Sequence, residues 1–408
     1  MTESALGRVK PGFGEFVVLM ALLTSLTALS IDTILPALPQ IGRDLGVLRE
    51  NDSQMVVSLV ILGMAIGQML YGPLSDSVGR KPAIYAGIGL YSVGCLLSLF
   101  ATSFSVLLTG RLLQGLGAAG PRVVMVALVR DQFSGRAMAR VMSFIMSVFI
   151  IVPAIAPSLG QGILLIAPWR AIFAIFLALA LIAVIWFAAR QPETLPRERR
   201  TPFSFKKMAG AFYTVCATPV ALGYTIAAGL IFGAFVGYLN SAQQIFQIQY
   251  GLGTQFPLYF AAVALAIGSA SLVNTRIVMR YGMRVLNHRA SVALSAVSAV
   301  FFIVSYLSGG HPPLWMLMTY CLATFFCVGI LFGNLNASAM EPLGNMAGVG
   351  AAVVGSLSSF ISVALGTLVG QAYNNTVLPL VGGFALYGIA AMAVMMWTED
   401  RREMAESV

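Results

Sequence analysis

The chain has 408 residues, 58% of them hydrophobic and only 10% charged, with a mean hydropathy of +0.87; soluble domains carry about a quarter charged residues. That composition excludes a water-soluble globular protein, and no polar stretch is long enough to hold a separate soluble domain. A net charge of +9 from 24 Lys and Arg raises the question of a nucleic-acid surface, and four scattered cysteines with two histidines exclude a zinc or haem cluster and a disulfide framework.

Apolar stretches of about 20 residues, the length that crosses a hydrocarbon core, fall at 16–38, 54–74, 83–101, 104–128, 140–164, 169–189, 213–238, 256–276, 286–307, 313–336, 346–373 and 377–397. Twelve spans put both termini on one side. The basic residues then segregate: Arg8, Lys10, Arg80, Lys81, Arg130, Arg136, Arg140 and the cluster Arg190–Lys207 share the side of the termini, while only Arg43, Arg49 and Arg170 lie opposite. That asymmetry predicts cytoplasmic termini. The charge is therefore topological, and nucleic-acid binding is not expected.

Taken in chain order, Asp32 is the one carboxylate well inside a span, about 24 Å along the first helix. Intramembrane charges are costly and mark functional sites by default. The 72–82 segment, Gly-Pro-Leu-Ser-Asp-Ser-Val-Gly-Arg-Lys-Pro, predicts a tight turn with Asp76 near a helix dipole or an arginine and with Arg80 and Lys81 at the surface. Arg111, roughly 10 Å into the fourth helix, reaches the depth of Asp32. An Asp32–Arg111 ion pair is thus expected, read either as a proton-coupling site or as a static tie between helices. Gln114 and Arg122 fall near the Arg111 face, so this face is expected to line a wet cavity; Arg122 fits a substrate contact and a snorkelling anchor equally.

Further along, Pro153, Pro157 and Gly160 allow the fifth helix to bend and to be approached closely. The proline-rich basic segment 190–212 divides the chain into halves, residues 1–189 and 213–408. The pairs Ala65-Ile66-Gly67 and Ala266-Ile267-Gly268, each followed by a Gly/Arg loop (Gly79-Arg80, Gly282-Met283-Arg284), point to a six-helix repeat. Gly229, Gly233 and Gly237 form a small-residue stripe suited to close packing. The polar aromatic stretch Tyr238–Tyr250, with Asn240, fits either a ligand wall or a wet interfacial helix.

Four of these segments together resemble the major facilitator superfamily: Gly72-Pro73 with Asp76, Gly79 and Arg80 in the loop after the second helix; Arg111-Leu-Leu-Gln-Gly in the fourth; Pro153–Gly162 in the fifth, similar to the antiporter motif; and Ser30-Ile31-Asp32-Thr33-Ile34-Leu35-Pro36 in the first, similar to the bicyclomycin and chloramphenicol resistance (Bcr/CflA) branch. A looser echo runs from Asn334 to Ala352. Ser77 stands where the family loop usually has arginine. The resemblance implies an all-α membrane protein of two six-helix bundles around a cavity, with Asp32 and Arg111 in proton coupling and Gly72, Asp76, Gly79 and Arg80 in a cytoplasmic gate. Gln114, Arg122, Tyr238, Asn240 and Asn334 are the candidate cavity residues. It further implies proton-driven export of small amphiphilic drugs by a monomer in contact with membrane lipids. A proton-coupled uptake carrier for a sugar or metabolite is the alternative. No phosphate-binding Gly-rich Lys-Ser/Thr loop is present for ATP, no cofactor or metal is expected, and one intramembrane carboxylate does not make an enzyme site.

Overall fold

The computed structural model describes residues 11–406; Arg8 and Lys10 lie outside the described residues. Among the described residues twelve helices are long and apolar enough to cross a membrane, as expected. They are α1 (Phe13–Asp32), α2 (Met55–Val78), α3 (Arg80–Leu99), α4 (Phe104–Gln132), α5 (Gly135–Ile166), α6 (Arg170–Arg190), α7 (Pro219–Leu239), α8 (Phe256–Tyr281), α9 (Met283–Leu307), α10 (Leu314–Met340), α11 (Ala347–Gln371) and α12 (Leu378–Glu406). The end of the bundle where the chain enters α1 and leaves α12 is the terminal end; the other is the distal end.

Local chemistry sets the helix limits. Ser103 caps α4 by accepting from the Val106 N–H. Helix α1 stops at Asp32 because Pro36 has no N–H to give to the Asp32 carbonyl, and the chain continues through a 3₁₀ turn, Leu35–Ala37, into the short helix Leu38–Asp44. The segment expected as 213–238 divides differently. An amphipathic helix, Phe205–Ala217, ends at Thr218, and α7 starts at Pro219. Proline forces the residue before it out of the helical region and sits well at a first helical position.

Two bundles form. In the first, α4 is wedged between α2 and α3, and a Cβ on Gly115 would lie 1.9 Å from the Val60 carbonyl oxygen, so only glycine lets these backbones meet. In the second, the Gly229, Gly233 and Gly237 stripe packs on Ile361, Leu365 and Val369 of α11. The halves touch along α2 with α11 and α5 with α8. The internal repeat is visible at the terminal end. Gly79 (φ 108°) and Gly282 (φ 78°) both turn the chain into the next helix in a conformation that side chains resist. The arginine that follows meets an acid at the end of a later helix: Arg80 with Asp131 of α4 at 2.9 Å, Arg284 with Glu341 after α10 at 3.8 Å.

Candidate functional site

Asp32 closes α1 at the break in the first span, is 5% exposed, and among the described residues accepts no hydrogen bond and joins no ion pair. The face of α1 that carries it runs through Val18, Leu22 and Leu29. On that face Val18 is 54% exposed, Leu22 and Leu29 are half-buried, and Ser25 and Asp32 are buried. The remaining faces pack on α4, α5 and α6 of the same half.

The expected Asp32–Arg111 ion pair is not made in this structure. Arg111 is fully buried and gives its hydrogen bonds to the carbonyls of Ser30 (2.5 Å) and Val56 (3.0 Å) and to Gln114 Oε1 (2.5 Å), with its guanidinium 5.7 Å from the Phe173 ring centroid. The depth match was sound, but depth ignores azimuth. Ser30 and Asp32 are two residues apart, about 200° around the helix. The Ser30 side therefore faces the inside of the first bundle, where Ser30 Oγ meets the Tyr91 hydroxyl at 2.7 Å, and Asp32 faces away from it. Gln114 is likewise fully buried, its amide donating to Cys95 Sγ at 3.3 Å, so it braces Arg111 rather than lining a cavity. A shared helix face says nothing about whether that face looks into the bundle or out of it. Arg122, two turns or more toward the terminal end of α4, is half-buried.

The fifth helix meets α1 at its break. A Cβ on Gly160 would lie 1.9 Å from the Thr33 carbonyl oxygen, so at Gly160 this helix, which also carries Pro153 and Pro157, presses directly on the turn that holds Asp32. From the other half, Tyr238 of α7 comes within electrostatic reach of Asp32. It is 1% exposed, packs among Phe260 (5.6 Å) and Phe325 (4.5 Å), and its hydroxyl has no partner among the described residues. Asn334 pairs reciprocally with Asn274 of α8 at 2.9 and 3.1 Å, which satisfies its amide inside the second bundle.

Distally, neutral side chains clasp the two halves. Asn51 Nδ2 donates to the carbonyls of Gln371 (3.0 Å) and Tyr373 (2.8 Å), its Oδ1 accepts from Gln244 (2.7 Å), and its carbonyl accepts from Gln371 Nε2 (2.9 Å). Below it, Ser58 Oγ accepts from Asn240 and Thr367, each at 2.9 Å. Asn240 thus belongs to the clasp. Gln244 begins a π-helical turn, Gln244–Gln249, a feature common at functional positions. Asn51, Ser58, Thr367 and Gln371 were not legible as a site, because isolated polar residues at span ends are ordinary.

At the terminal end the loop after α2 is a locked cluster. Arg80, expected at the surface, is 3% exposed: it binds Asp76 at 2.5 Å, Asp131 at 2.9 Å and Ser75 Oγ at 3.0 Å. Glu193 of the linker accepts from the Arg80 and Lys81 backbone N–H groups, both at 3.0 Å, and so caps α3. Gly79 leaves room for this, since a Cβ there would lie 2.7 Å from Glu193 Oε2. Gly72 stands where α2 passes Ala352 of α11. Glu193 carried a weak sequence signal, an acid directly after the last helix of the first half; Asp131 carried the charge complement of Arg80.

Two six-helix bundles, with a single mid-span carboxylate among the described residues at the break in the first span, match the architecture of a secondary transporter. The family model described as Major Facilitator Superfamily matches residues 20–367, and the chain belongs to that superfamily. It is 30% identical over 377 residues to a bicyclomycin resistance protein homolog of Haemophilus influenzae, covering 90% of this chain and 91% of that one. It is also 30% identical over 387 residues to a chloramphenicol resistance protein of Pseudomonas aeruginosa, covering 90% and 86%. Among solved structures, the partially occluded inward open conformation of the xylose transporter XylE from E. coli superposes with a TM-score of 0.73 at 12% identity, over 95% of this chain and 97% of that one; it bears on the fold alone.

Proposed function

We propose that the protein exports small amphiphilic, drug-like molecules in exchange for protons, with the terminal end and both termini in the cytoplasm of a bacterial inner membrane. The carrying observation is Asp32, the one mid-span carboxylate among the described residues, buried at the break in the first span of a molecule whose halves are clasped at the distal end. The halves, residues 1–189 and 213–408 as read from the sequence, rock about this point. With the clasp open Asp32 takes a proton from the distal side; with the clasp closed it releases the proton toward the terminal end as substrate enters between the halves. Each proton moved inward releases about 2.3 kcal/mol per 100 mV of membrane potential. The resistance-protein names of the relatives support a drug substrate. Arg111 holds α1, α2 and α4 in register around the site, and Asp76, Gly79 and Arg80 set the terminal gate.

Direction of flux is the test. Energised inside-out vesicles should accumulate a fluorescent cationic dye or a phenicol on expression of this chain, and a protonophore should release it. Accumulation in right-side-out vesicles instead would sink the export reading.

A further inference from the structure

The segment that joins the two halves has no part in the cycle above, yet it is fastened at both ends. Its first stretch is tied to the first half. The Gln191 carbonyl accepts from Lys81 Nζ at 2.6 Å, the Glu193 carboxylate accepts from the Arg80 and Lys81 N–H groups, Thr194 Oγ1 donates to Asp131 at 2.9 Å, and the Thr201 N–H donates to the Asp76 carbonyl at 3.0 Å. Residues 191–201 therefore move with the α2–α3 turn and the end of α4.

The next stretch is tied to the second half. Ser204 caps the helix Phe205–Ala217 by accepting from the Lys207 N–H at 3.3 Å. Met208, Ala211 and Val215, at the three- and four-residue spacing of one helix face, are buried, and the helix packs on α7 and α11. Only Thr218 separates it from α7.

Between the two fastenings lie Pro202 and Phe203 alone, and the crossing carries little slack. Arg200 (φ −72°, ψ 136°) and Ser204 (φ −142°, ψ 109°) are both extended, and Pro202 holds Thr201 out of the helical region. From Thr201 to Ser204 the chain reaches at most about 11 Å. We propose that this segment is a strap that limits how far the terminal ends of the two halves separate. In the cycle above the terminal end opens while the distal clasp is shut, which is the state of the clasp here, and in that state the strap is drawn out. Wider opening requires the first fastening to let go, because its hydrogen bonds can be exchanged for bonds to water, whereas the second fastening is buried apolar surface. The strap depends on the halves rocking as proposed above; neither the direction of flux nor the coupling ion enters it, so the vesicle test and the one below can fail separately.

The test uses the full-length protein in lipid nanodiscs, with spin labels on the terminal ends of α4 and α10 and a second label pair across the distal end. Insertion of Gly-Ser-Gly-Ser between Pro202 and Phe203 leaves both fastenings in place and adds up to about 13 Å of reach. The longest terminal distances should then move outward by about 5 Å or more, within that added reach, while the distal distances stay put. Glu193→Ala, which loosens the first fastening at unchanged chain length, should shift the terminal distances the same way by less. Terminal distances that do not change on insertion would overturn the proposal. So would a widening matched by an equal change at the distal pair, which would mark a general loosening of the bundles.

Discussion

At the scale of single residues, the telling feature is a buried guanidinium held without a carboxylate. Arg111 meets three acceptors in three directions, a task for a planar fork of donors that a compact ammonium performs poorly. Arg111→Ala takes the arginine donor from the Ser30 carbonyl and the Gln114 amide oxygen in a dry bundle, at about 1–3 kcal/mol each. The expected outcome is a protein that inserts but melts at clearly lower temperature in detergent, by fluorescence-detected size exclusion, with Arg111→Lys intermediate. An Arg111→Ala protein as heat-resistant as the parent would contradict the bracing role. The residues themselves were legible from sequence, since charges in apolar spans stand out. Their pairing was not, because span depth follows from counting residues whereas the direction of a side chain depends on which neighbours the helix acquires.

At the scale of elements, the linker is bound into the charged cluster around Arg80. Glu193 caps α3 through the Arg80 and Lys81 N–H groups, Lys81 Nζ reaches the Gln191 carbonyl at 2.6 Å, and the Thr201 N–H reaches the Asp76 carbonyl at 3.0 Å. The basic run Arg197–Arg200 is thereby drawn against the first bundle. Glu193→Ala should release it. Trypsin in inside-out vesicles is expected to nick the linker several-fold faster in the variant, and an unchanged cleavage rate would show that the contact holds nothing in place. Helix number and order were readable because a span needs about 20 apolar residues and little else. The α7 boundary was misplaced because Phe205–Ala217 is apolar on one face and merges with the next span in any average over the sequence; Pro219 was the local sign of the break.

At the scale of the whole molecule, the proposed cycle divides the work between the distal clasp and the buried carboxylate. The clasp is made of amides, hydroxyls and carbonyls, and burial holds the nearby Tyr250 and Tyr373 hydroxyls up at about 12. A raised tyrosine pKa penalises the ionised form, so it leaves stability unchanged below the ordinary value near 10 and lowers it only above. The clasp should therefore hold equally from acid to mildly alkaline pH, which leaves Asp32 to sense the proton. Asn51→Ala removes three side-chain hydrogen bonds, each worth about 0.5–1.5 kcal/mol, enough to shift a two-state equilibrium by roughly tenfold or more. Spin labels across the distal end, on the α1–α2 and α7–α8 segments, should report a larger population of long distances. Distances unchanged from the parent would remove the clasp from the account.

The central claim is that Asp32 carries the proton, and it is tested most directly by substrate-driven proton movement in proteoliposomes with and without Asp32→Asn. The account predicts that a transported phenicol or cationic dye drives protons in the opposite direction in the parent protein. The variant should lose both this movement and the pH dependence of transport. Proton movement that persists unchanged in Asp32→Asn would contradict it.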